Sequence, residues 1–347
     1  MKQHPASLSA TERAITLEEV ARQAGVSKMT VSRVLNTPHL VSEQTRHLVL
    51  DAMARTGYVP NLHAAGLRSC RTRTIACMAP TIAAGSAFLA TLQPLTDALG
   101  KAGYQVMLSE RGYHRSRDDE VLEAVLQRRP DGIALIGVLQ SEQARKRLQA
   151  TGIPIVETWE INDQPLDMQV GFSHQAIGRA VARHFHKQGR KRLASISSQE
   201  SRTHARYVGF RKEALALGIA GIHLSADDNI VIESPSRLLH GRMGLARALE
   251  GDAHVDAIYS PTDMVALGIL MEASDRGIDV PADLAVVGFG DFDFAAHTSP
   301  PLSTVRIDNE RIGRRAAELL IGRIDGQSPA EQVVEDVGFE VITRATS

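Results

Sequence analysis

Apolar residues recur at helical spacing near the start of the chain. Between Leu17 and Ala24 they occupy positions i, i+3, i+4 and i+7, which places them on one face of an amphipathic helix. Thr16 and Glu19 form a capping box before this face begins, and Gly25 supplies a tight exit after it ends. The pattern therefore predicts a short helix that starts just after Thr16.

Two more helices are predicted from the residues that follow. Ser27 can cap a second helix with Val31 and Val34 on its inward face, and residues 42–55 predict a third helix that stops at Gly57. The outward face of the second helix carries Lys28, Met29, Ser32, Arg33 and Asn36. Side chains of this kind can meet base edges and phosphates, which favours a DNA-binding helix-turn-helix. A plain helical bundle with a solvated polar face fits the same spacing.

From Thr74 onward, short apolar segments alternate with helical ones. Strands are predicted at residues 75–78, 105–108, 132–136, 155–156, 193–196, 257–260 and 284–289. This alternation predicts an α/β core in which parallel sheets are flanked by helices. The stretch from Gly288 to Asp291 lacks the third glycine of a dinucleotide fingerprint, and the sequence has no Walker phosphate loop, so a nucleotide enzyme is disfavoured.

The composition is that of a water-soluble chain, and no cofactor is predicted. Of 347 residues, 43% are hydrophobic and 23% are charged, and no apolar run approaches the roughly 18 residues of a membrane-spanning helix. The start of the chain contains Glu12, Glu18 and Glu19 and no long apolar segment, so we expect no secretory signal and a cytoplasmic protein. Cys70 and Cys77 are too few for a disulfide framework or a zinc site and are interpreted as free thiols.

Charge is distributed unevenly along the chain, although the net charge is only -1. Residues 1–70 contain eight Lys or Arg against five acids and carry about +3, whereas the remainder carries about −4. A modestly basic head on an acidic body is typical of a nucleic-acid reader joined to a different module.

Two motifs in the head, AGVSKMTVSRVLN and GYVPN, carry a family resemblance that runs without a gap from Thr16 to Ser69. The segment resembles the DNA-binding head of the lactose/galactose repressor (LacI/GalR) family. The resemblance implies the base readers Lys28, Met29 and Arg33, the backbone contacts Thr30, Ser32 and Asn36, and further DNA-binding residues Thr16, Asn61, Leu67 and Arg68. The methionine can make only apolar contacts, for example with a thymine methyl group.

Residues 61–69 resemble the family's hinge helix, which orders when two copies pair over the operator centre. Leu67 falls where the family inserts a leucine into the minor groove, and such a wedge kinks the duplex at a cost of roughly a few kcal/mol. Gly66 weakens the free helix by about 0.5 to 1 kcal/mol relative to alanine, which suits a segment that folds only on DNA. Leu67 is alternatively an ordinary buried linker residue.

The body carries the motifs VGFSHQAIG, TDMVALG, LAVVGFGDFDFA and PPLSTVRID. These resemble the same family, whose core is similar to periplasmic sugar-binding proteins with two lobes and a cleft between them. The resemblance implies a flexible extension over residues 1–15, a helix-turn-helix domain over 16–60, a hinge helix and linker over 61–72, and an effector-binding and dimerisation core over 73–347. Lobe 1 is predicted at about 73–171 and 305–326, and lobe 2 at about 172–304 and 327–347.

The cleft between the lobes is the expected effector site, because ligands of open α/β sheets lie beyond the carboxyl ends of the strands. The effector-binding residues predicted there are Glu157, Trp159, Arg202, Arg206, Thr262, Asp263 and Asp291. Arg206 matches the family's effector-binding arginine, whereas Gly290 replaces a usual aspartate. Three of these residues have alternatives: Arg206 as a surface cation, Asp263 as a helix cap and Trp159 as a core residue.

The chemistry of the ligand is read from the cleft loops, which carry Arg111, Arg115, Arg202 and His204 besides Arg206. This favours an anionic ligand, since guanidinium groups bind carboxylates in a bidentate manner. The segments VETWE and DMQVGFSH resemble the gluconate-responsive branch of the family, so we expect a repressor of sugar-acid utilisation genes that binds a pseudo-palindromic operator as a homodimer. A neutral-sugar or nucleoside regulator and a solute-binding protein are the alternatives. An enzyme is not expected, because no catalytic constellation or metal site is apparent.

Overall fold

The computed structural model describes residues 15–59, 71–82, 87–112, 115–198, 200–219, 230–232, 237–250, 254–327 and 331–347. These residues fall into two compact units, one ending at Cys70 and the other beginning at Arg71. The hinge predictions for Asn61, Leu67 and Arg68 concern residues outside the described ranges, as does nearly all of the predicted N-terminal extension.

The first unit contains the three helices expected from the sequence. They are α1 (Leu17–Ala24), α2 (Lys28–Asn36) and α3 (Glu43–Thr56), with a short 3-10 helix (Pro38–Leu40) between the last two. Their buried faces meet in one apolar core of Val20, Ala21, Val31, Val34, Val49 and Ala52. The predicted periodicity is confirmed, because these are the positions that it places inward.

Local capping sets the turn between α1 and α2. The amide of Glu19 donates to Thr16 Oγ1 at 3.3 Å while the amide of Thr16 donates to Glu19 Oε2 at 2.7 Å, which completes the predicted capping box. Gly25 ends α1 at φ 67°, a left-handed conformation that glycine adopts without steric cost. Ser27 Oγ then accepts from the amide of Thr30 at 3.1 Å and starts α2.

Lobe 1 of the second unit is a six-stranded parallel sheet with the order β11-β5-β4-β3-β1-β2. Its strands are β1 (Thr74–Ala79), β2 (Gln105–Glu110), β3 (Gly132–Ile136), β4 (Ile155–Thr158), β5 (Met168–Gly171) and β11 (Val333–Asp336). Its helices are α4 (Leu89–Lys101), α5 (Arg115–Leu126), α6 (Glu142–Ala150) and α11 (Asn309–Ile324). Helices separate β1 from β2, β2 from β3 and β3 from β4, as the sequence alternation predicts, whereas β4 and β5 are joined without a helix.

Lobe 2 is a four-stranded parallel sheet with the order β7-β6-β8-β9. Its strands are β6 (Leu193–Ser198), β7 (Ile230–Ile232), β8 (Ala257–Tyr259) and β9 (Ala285–Val287). Its helices are α7 (His174–Lys187), α8 (Ser201–Ala216), α9 (Leu238–Ala248) and α10 (Asp263–Asp275), and a 3-10 helix (Asp293–His297) follows β9. The two-lobed α/β core expected from the sequence is therefore confirmed.

The chain passes between the lobes three times, and two of these passages pair with each other. β10 (Thr304–Arg306) and β12 (Glu340–Ile342) form an antiparallel two-stranded sheet. The strand before β12 corrects the predicted lobe boundary. This strand, β11, pairs with β5 in lobe 1, so residues 327–347 do not all belong to lobe 2. Only the end of the chain returns there, where the amide of Val286 donates to the carbonyl of Thr346 at 2.7 Å.

A candidate nucleic-acid interface and a candidate effector cleft

Helix α2 presents a polar surface on the side opposite to its buried valines. Lys28, Arg33 and Asn36 are exposed, and Met29 is 65% exposed although its side chain is apolar. The side chain is therefore accessible for an apolar contact with a base. The predicted base-reading residues therefore lie together on one accessible helix face.

The predicted backbone-contact residues of α2 also make bonds within the head. Thr30 Oγ1 lies 2.9 Å from Ser27 Oγ at the start of the helix, and Asn36 Nδ2 donates to the carbonyl of Ser32 at 2.8 Å near its end. Thr16 is exposed at the start of α1 with its hydroxyl directed to Glu19. These side chains consequently have fixed orientations on the same small unit as the base-reading face.

In the second unit, two glycines bring α7 and α8 into direct backbone contact. A Cβ at Gly178 would lie 2.0 Å from the carbonyl oxygen of Arg206, and a Cβ at Gly209 would lie 2.2 Å from that of Gln175. No other residue type fits at these positions without separating the helices. The motif VGFSHQAIG and the pair Gly209-Phe210 thus have a structural basis, since they place the start of α7 beside Arg206.

Arg206 is buried, so the alternative of a surface cation is excluded. Its Nη1 lies 3.0 Å from His174 Nδ1, its Nη2 donates to the carbonyl of Pro261 at 3.0 Å, and its Cζ lies 4.0 Å from the centre of the Phe289 ring. Burial lowers the pKa of the guanidinium. The predicted effector arginine is therefore held from two sides, and its buried Nε has no hydrogen-bond partner among the described residues.

His174 connects Arg206 to lobe 1. Because a guanidinium has donors only, Nδ1 of the histidine must accept, and its Nε2 then donates to the carbonyl of Trp159 at 2.9 Å. Burial, and secondly the charge of Arg206, lowers the pKa of His174 well below its usual range, so the ring stays neutral. This residue was not predicted to belong to the site, although it stands within the motif VGFSHQAIG.

Trp159 lies in the core, which agrees with the alternative to a stacking wall. It is buried among the rings of Phe88, Phe172 and Phe289 at centroid distances of 5.4 to 6.2 Å, in edge-to-face geometry. Its indole Nε1 donates to Thr91 Oγ1 at 2.7 Å. The tryptophan therefore has a structural role next to the cleft, because its ring packs among three phenylalanines and its carbonyl accepts from His174.

Arg202 lies in the first turn of α8 and faces lobe 1. It is 8% exposed, its Cζ is 5.5 Å from the centre of the Phe88 ring, and its Nη2 is 3.5 Å from Glu200 Oε2. A Cβ at Gly137 would lie 3.5 Å from Nη1 of Arg202 and 3.6 Å from Nη2 of Arg111, so these nitrogens are within about 7 Å of each other. Two guanidinium groups, one from each lobe, thus flank the same loop.

Arg111 is anchored within lobe 1. Its Nη1 donates to Asp118 Oδ1 at 3.1 Å, and its Nη2 donates to the carbonyls of Ile136 and Val138 at 3.2 and 3.0 Å. The side chain is almost completely buried, as is its acidic partner. Its charge is therefore balanced locally while it remains next to the cleft loop.

Glu157, which was predicted to bind the effector, makes its contacts within lobe 1. Its carboxylate is fully buried and is used by Arg145 Nη1 at 3.0 Å, the amide of Leu166 at 2.8 Å and Gln169 Nε2 at 3.3 Å. All of these partners belong to lobe 1, so Glu157 fastens α6 and the β4 to β5 connection to the sheet. The pattern VETWE gave no indication of these partners.

Thr262 and Asp263 have roles that differ from the predicted ones. Thr262 Oγ1 accepts from the amide of Val265 at 3.3 Å and is the cap of α10. Asp263 is fully buried, and its carboxylate accepts from Thr304 Oγ1 at 2.5 Å and from the amide of Phe292 at 2.8 Å. Asp263 therefore connects β10 to α10, and the helix cap is Thr262 rather than Asp263. Burial raises the pKa of Asp263 to about 6.

Asp291, another predicted effector residue, pairs with two arginines. Its two carboxylate oxygens pair with Arg306 Nε and Arg344 Nη2, each at 2.6 Å. The neighbouring Gly290 has φ 125°, a conformation that side chains with a Cβ rarely adopt, and a Cβ there would lie 3.1 Å from that of Ala87. Both the backbone conformation and the space at this position therefore suit glycine.

Glu160 is a further polar residue at the cleft that the sequence reading missed. It follows β4 in lobe 1, and its Oε2 is buried without a hydrogen-bond partner among the described residues. Burial raises the pKa of Glu160, while the charge of Arg202 opposes this effect. A buried carboxylate oxygen without a partner requires an explanation, because such groups are normally hydrogen-bonded.

Cys77 is a buried free thiol in β1, and burial raises its pKa to about 12. No helix within the described ranges combines the length and the apolar character needed to cross a bilayer. The same ranges contain no group of three or more His, Cys, Asp or Glu side chains arranged to hold a metal ion.

These features define a class: a helix-turn-helix head with an exposed reading face, joined to a two-lobed small-molecule-binding core. The sequence matches the lacI family of bacterial regulatory proteins over residues 16–61 and the periplasmic binding protein-like domain over residues 182–347. It is 35% identical over 333 residues to the HTH-type transcriptional regulator GntR of Pseudomonas aeruginosa, covering 96% of this chain and 95% of that protein. The chain belongs to the lacI family and is a DNA-binding transcriptional regulator.

Solved structures agree with this assignment. A LacI-family transcriptional regulator from Silicibacter pomeroyi superposes with a TM-score of 0.84 at 30% identity, covering 96% of this chain and 99% of the other. The transcription regulator GntR from Chromobacterium violaceum gives 0.71 at 30% identity, covering 79% of this chain and 99% of the other. The similar proteins named here are transcriptional regulators.

Proposed function

We propose that the protein acts in the cytoplasm as a homodimeric repressor of sugar-acid utilisation genes and has no enzymatic activity. The observation that carries the DNA-binding part is the exposed face of α2, where Lys28, Met29 and Arg33 lie accessible on a capped helix. Two such helices on a dimer fit two half-sites of a pseudo-palindromic operator.

A sugar acid, gluconate or a ketogluconate, is the effector that the cleft supports best. Arg202 and Arg206 come from lobe 2 and Arg111 from lobe 1, so the cleft is rich in guanidinium groups that suit a carboxylate. The sequence resemblance to the gluconate-responsive branch and the similarity to GntR regulators support the same ligand class. A neutral sugar or nucleoside would leave buried positive charge without a partner.

Control of operator binding follows from thermodynamic linkage. Suppose that the effector favours one arrangement of the two lobes and the operator favours another. The effector then weakens operator binding by the same factor by which the operator weakens effector binding. The lobes already touch through Gln140 Nε2, which donates to Ser201 Oγ at 3.2 Å. A ligand in the cleft can therefore shift an equilibrium between lobe arrangements without reaching the DNA.

The test is a gel-shift titration of the full chain on DNA from upstream of its own gene, with and without gluconate, 2-ketogluconate and 6-phosphogluconate. We expect specific complexes whose affinity changes with at least one of these acids. Arg33→Ala should cost about 1 to 3 kcal/mol on the specific site and relax base choice at one position, because it removes a base contact. Arg55→Ala, an exposed arginine on α3, is the control and should leave base choice unchanged. Equal losses on specific and random DNA for Arg33→Ala would contradict the proposed reading face.

A further inference from the structure

Arg202 differs from the other cleft arginines in its free bonding capacity. None of its N–H groups donates a hydrogen bond to another residue in the described part of the chain, and its ion pair with Glu200 is long at 3.5 Å. Arg206, in contrast, uses Nη1 and Nη2 on His174 and Pro261. A nearly buried guanidinium that keeps its donors is suited to bind an anion, since it presents them in a rigid, planar fork.

The position of Arg202 is fixed without those donors. Its guanidinium lies over the ring of Phe88. Gly137 is also close, since a Cβ on this glycine would lie 3.5 Å from Nη1. Both of these neighbours belong to lobe 1, whereas Arg202 belongs to lobe 2. The side chain is therefore preorganised across the cleft.

Glu160 supplies a complementary group from lobe 1. Its backbone is fixed because Gly171 packs so closely that a Cβ there would lie 2.6 Å from the Glu160 amide nitrogen. Its Oε2 is buried and accepts no hydrogen bond among the described residues. Arg202 is the nearby cation with the largest influence on this carboxylate. A ligand hydroxyl would satisfy the oxygen, as carboxylates are strong acceptors.

We propose that Arg202 binds the carboxylate of the effector and that Glu160 accepts from a hydroxyl of the same molecule, so that a hydroxy carboxylic acid bridges the two lobes. This inference rests on the proposed function and adds a division of labour within it. Arg202 binds the carboxylate, Glu160 accepts from a hydroxyl of the polyol chain, and Arg206 lies buried beneath the ligand. Binding then stabilises the arrangement in which the lobes are in contact.

The experiment is isothermal titration calorimetry of the full chain with gluconate and with glucitol, the neutral polyol that lacks the carboxylate. The wild-type protein should prefer gluconate. Arg202→Gln should lower gluconate affinity at least 10-fold and leave glucitol affinity unchanged, because it removes charge-assisted hydrogen bonds that only the carboxylate can accept. Arg183→Gln removes an exposed arginine that pairs with Glu213 and is the matched control, with no expected effect.

Glu160→Gln distinguishes the second contact from the first. It should weaken gluconate and glucitol by similar factors, because both carry the hydroxyls. Melting temperatures and operator affinity without ligand show that each variant is folded. Unchanged gluconate binding by a folded Arg202→Gln overturns the inference and leaves the proposed effector intact, whereas a wild-type protein that binds no sugar acid overturns both. The last ligand is glucitol 6-phosphate. If the protein binds it in place of gluconate and this affinity is lost in Arg202→Gln, the arginine binds a phosphate and the carboxylate assignment is refuted.

Discussion

At the scale of single residues, Asp263 illustrates how a buried carboxylate can hold a fold together and still make it sensitive to pH. Its two hydrogen bonds, from Thr304 and the amide of Phe292, favour the ionised form, but burial outweighs them. The folded protein therefore binds a proton between pH 3.8 and about 6 that the unfolded chain has already released. Stability contributed by this group must fall as pH rises through that interval.

Asp263→Asn removes this titration while keeping an oxygen and a nitrogen in place. We expect the variant to gain stability relative to wild type as pH rises from 4 to 6.5, by up to about 3 kcal/mol. The measurement is denaturant unfolding of both proteins across this range, with the exposed Asp275→Asn as the control. A difference between Asp263→Asn and wild type that stays constant with pH would show that the carboxylate is not strongly shifted.

His174 is predicted to position Arg206. His174→Phe leaves Arg206 Nη1 and the carbonyl of Trp159 without partners, and each such loss costs about 1 to 3 kcal/mol. We expect a lower melting temperature and at least 10-fold weaker gluconate binding, measured by calorimetric titration. His174→Gln, whose amide can accept from Arg206 and donate to Trp159, should recover part of both properties. If the two variants behave alike, the hydrogen-bonded chain does not control the arginine.

At the scale of elements, the contact between α7 and α8 depends on the absence of side chains. Gly178→Ala would place a Cβ 2.0 Å from the Arg206 carbonyl oxygen, so the helices must separate at a cost of about 1 to 3 kcal/mol or more. Gly100→Ala in α4 is the matched control, since nothing lies within 4 Å of its Cβ and it should stabilise by about 0.5 to 1 kcal/mol. Opposite shifts in melting temperature are expected, and a neutral Gly178→Ala would contradict the close packing.

Elements with a strong local pattern could be predicted from the sequence. The head helices and β3 have the expected bounds because their periodicity and caps are complete within a few residues. β5, β7, β10, β11 and β12 were not predicted, and each has only three or four residues, whereas the equally short β8 and β9 lie within the apolar segments 257–260 and 284–289. β11 was assigned to the wrong lobe because its partner β5 is far away in the sequence.

The candidate site was predictable to a smaller extent. Arg206 was predicted from the family resemblance and Arg202 from its loop beyond a strand end, and in the structure both lie near residues of lobe 1. The structural contacts of Glu157 and Asp291 could not be predicted, because a sequence does not reveal whether a carboxylate is already paired, and both have arginine partners that come from other elements. Glu160 was missed for the opposite reason, as the absence of a partner is visible only in three dimensions.

At the scale of the whole molecule, Asp291 joins segments that run between the lobes. Its carboxylate pairs with Arg306 in β10 and with Arg344 just after β12. Asp291→Asn should lower the free energy of unfolding by about 1 to 3 kcal/mol, since it leaves Arg344 largely buried without its ion pair. Glu340→Gln is the control, because Glu340 is mostly exposed and pairs with Arg306 at 3.5 Å, and exposed pairs contribute about 0 to 1 kcal/mol. Equal destabilisation by the two substitutions in urea would exclude this role.

The assignment of β11 to lobe 1 also sets an order in which the chain can fold during its synthesis. Lobe 1 begins to be translated before lobe 2 but is completed late. It needs α11 (Asn309–Ile324), which packs on α4 and covers Leu95 and Leu99, and it needs the edge strand β11 (Val333–Asp336). Lobe 2 is completed by Thr346, whose carbonyl accepts from the amide of Val286. A ribosome must therefore have synthesised β11 before lobe 1 is complete and Thr346 before lobe 2 is complete, whereas the core residues of the head all precede Met53 and emerge earlier.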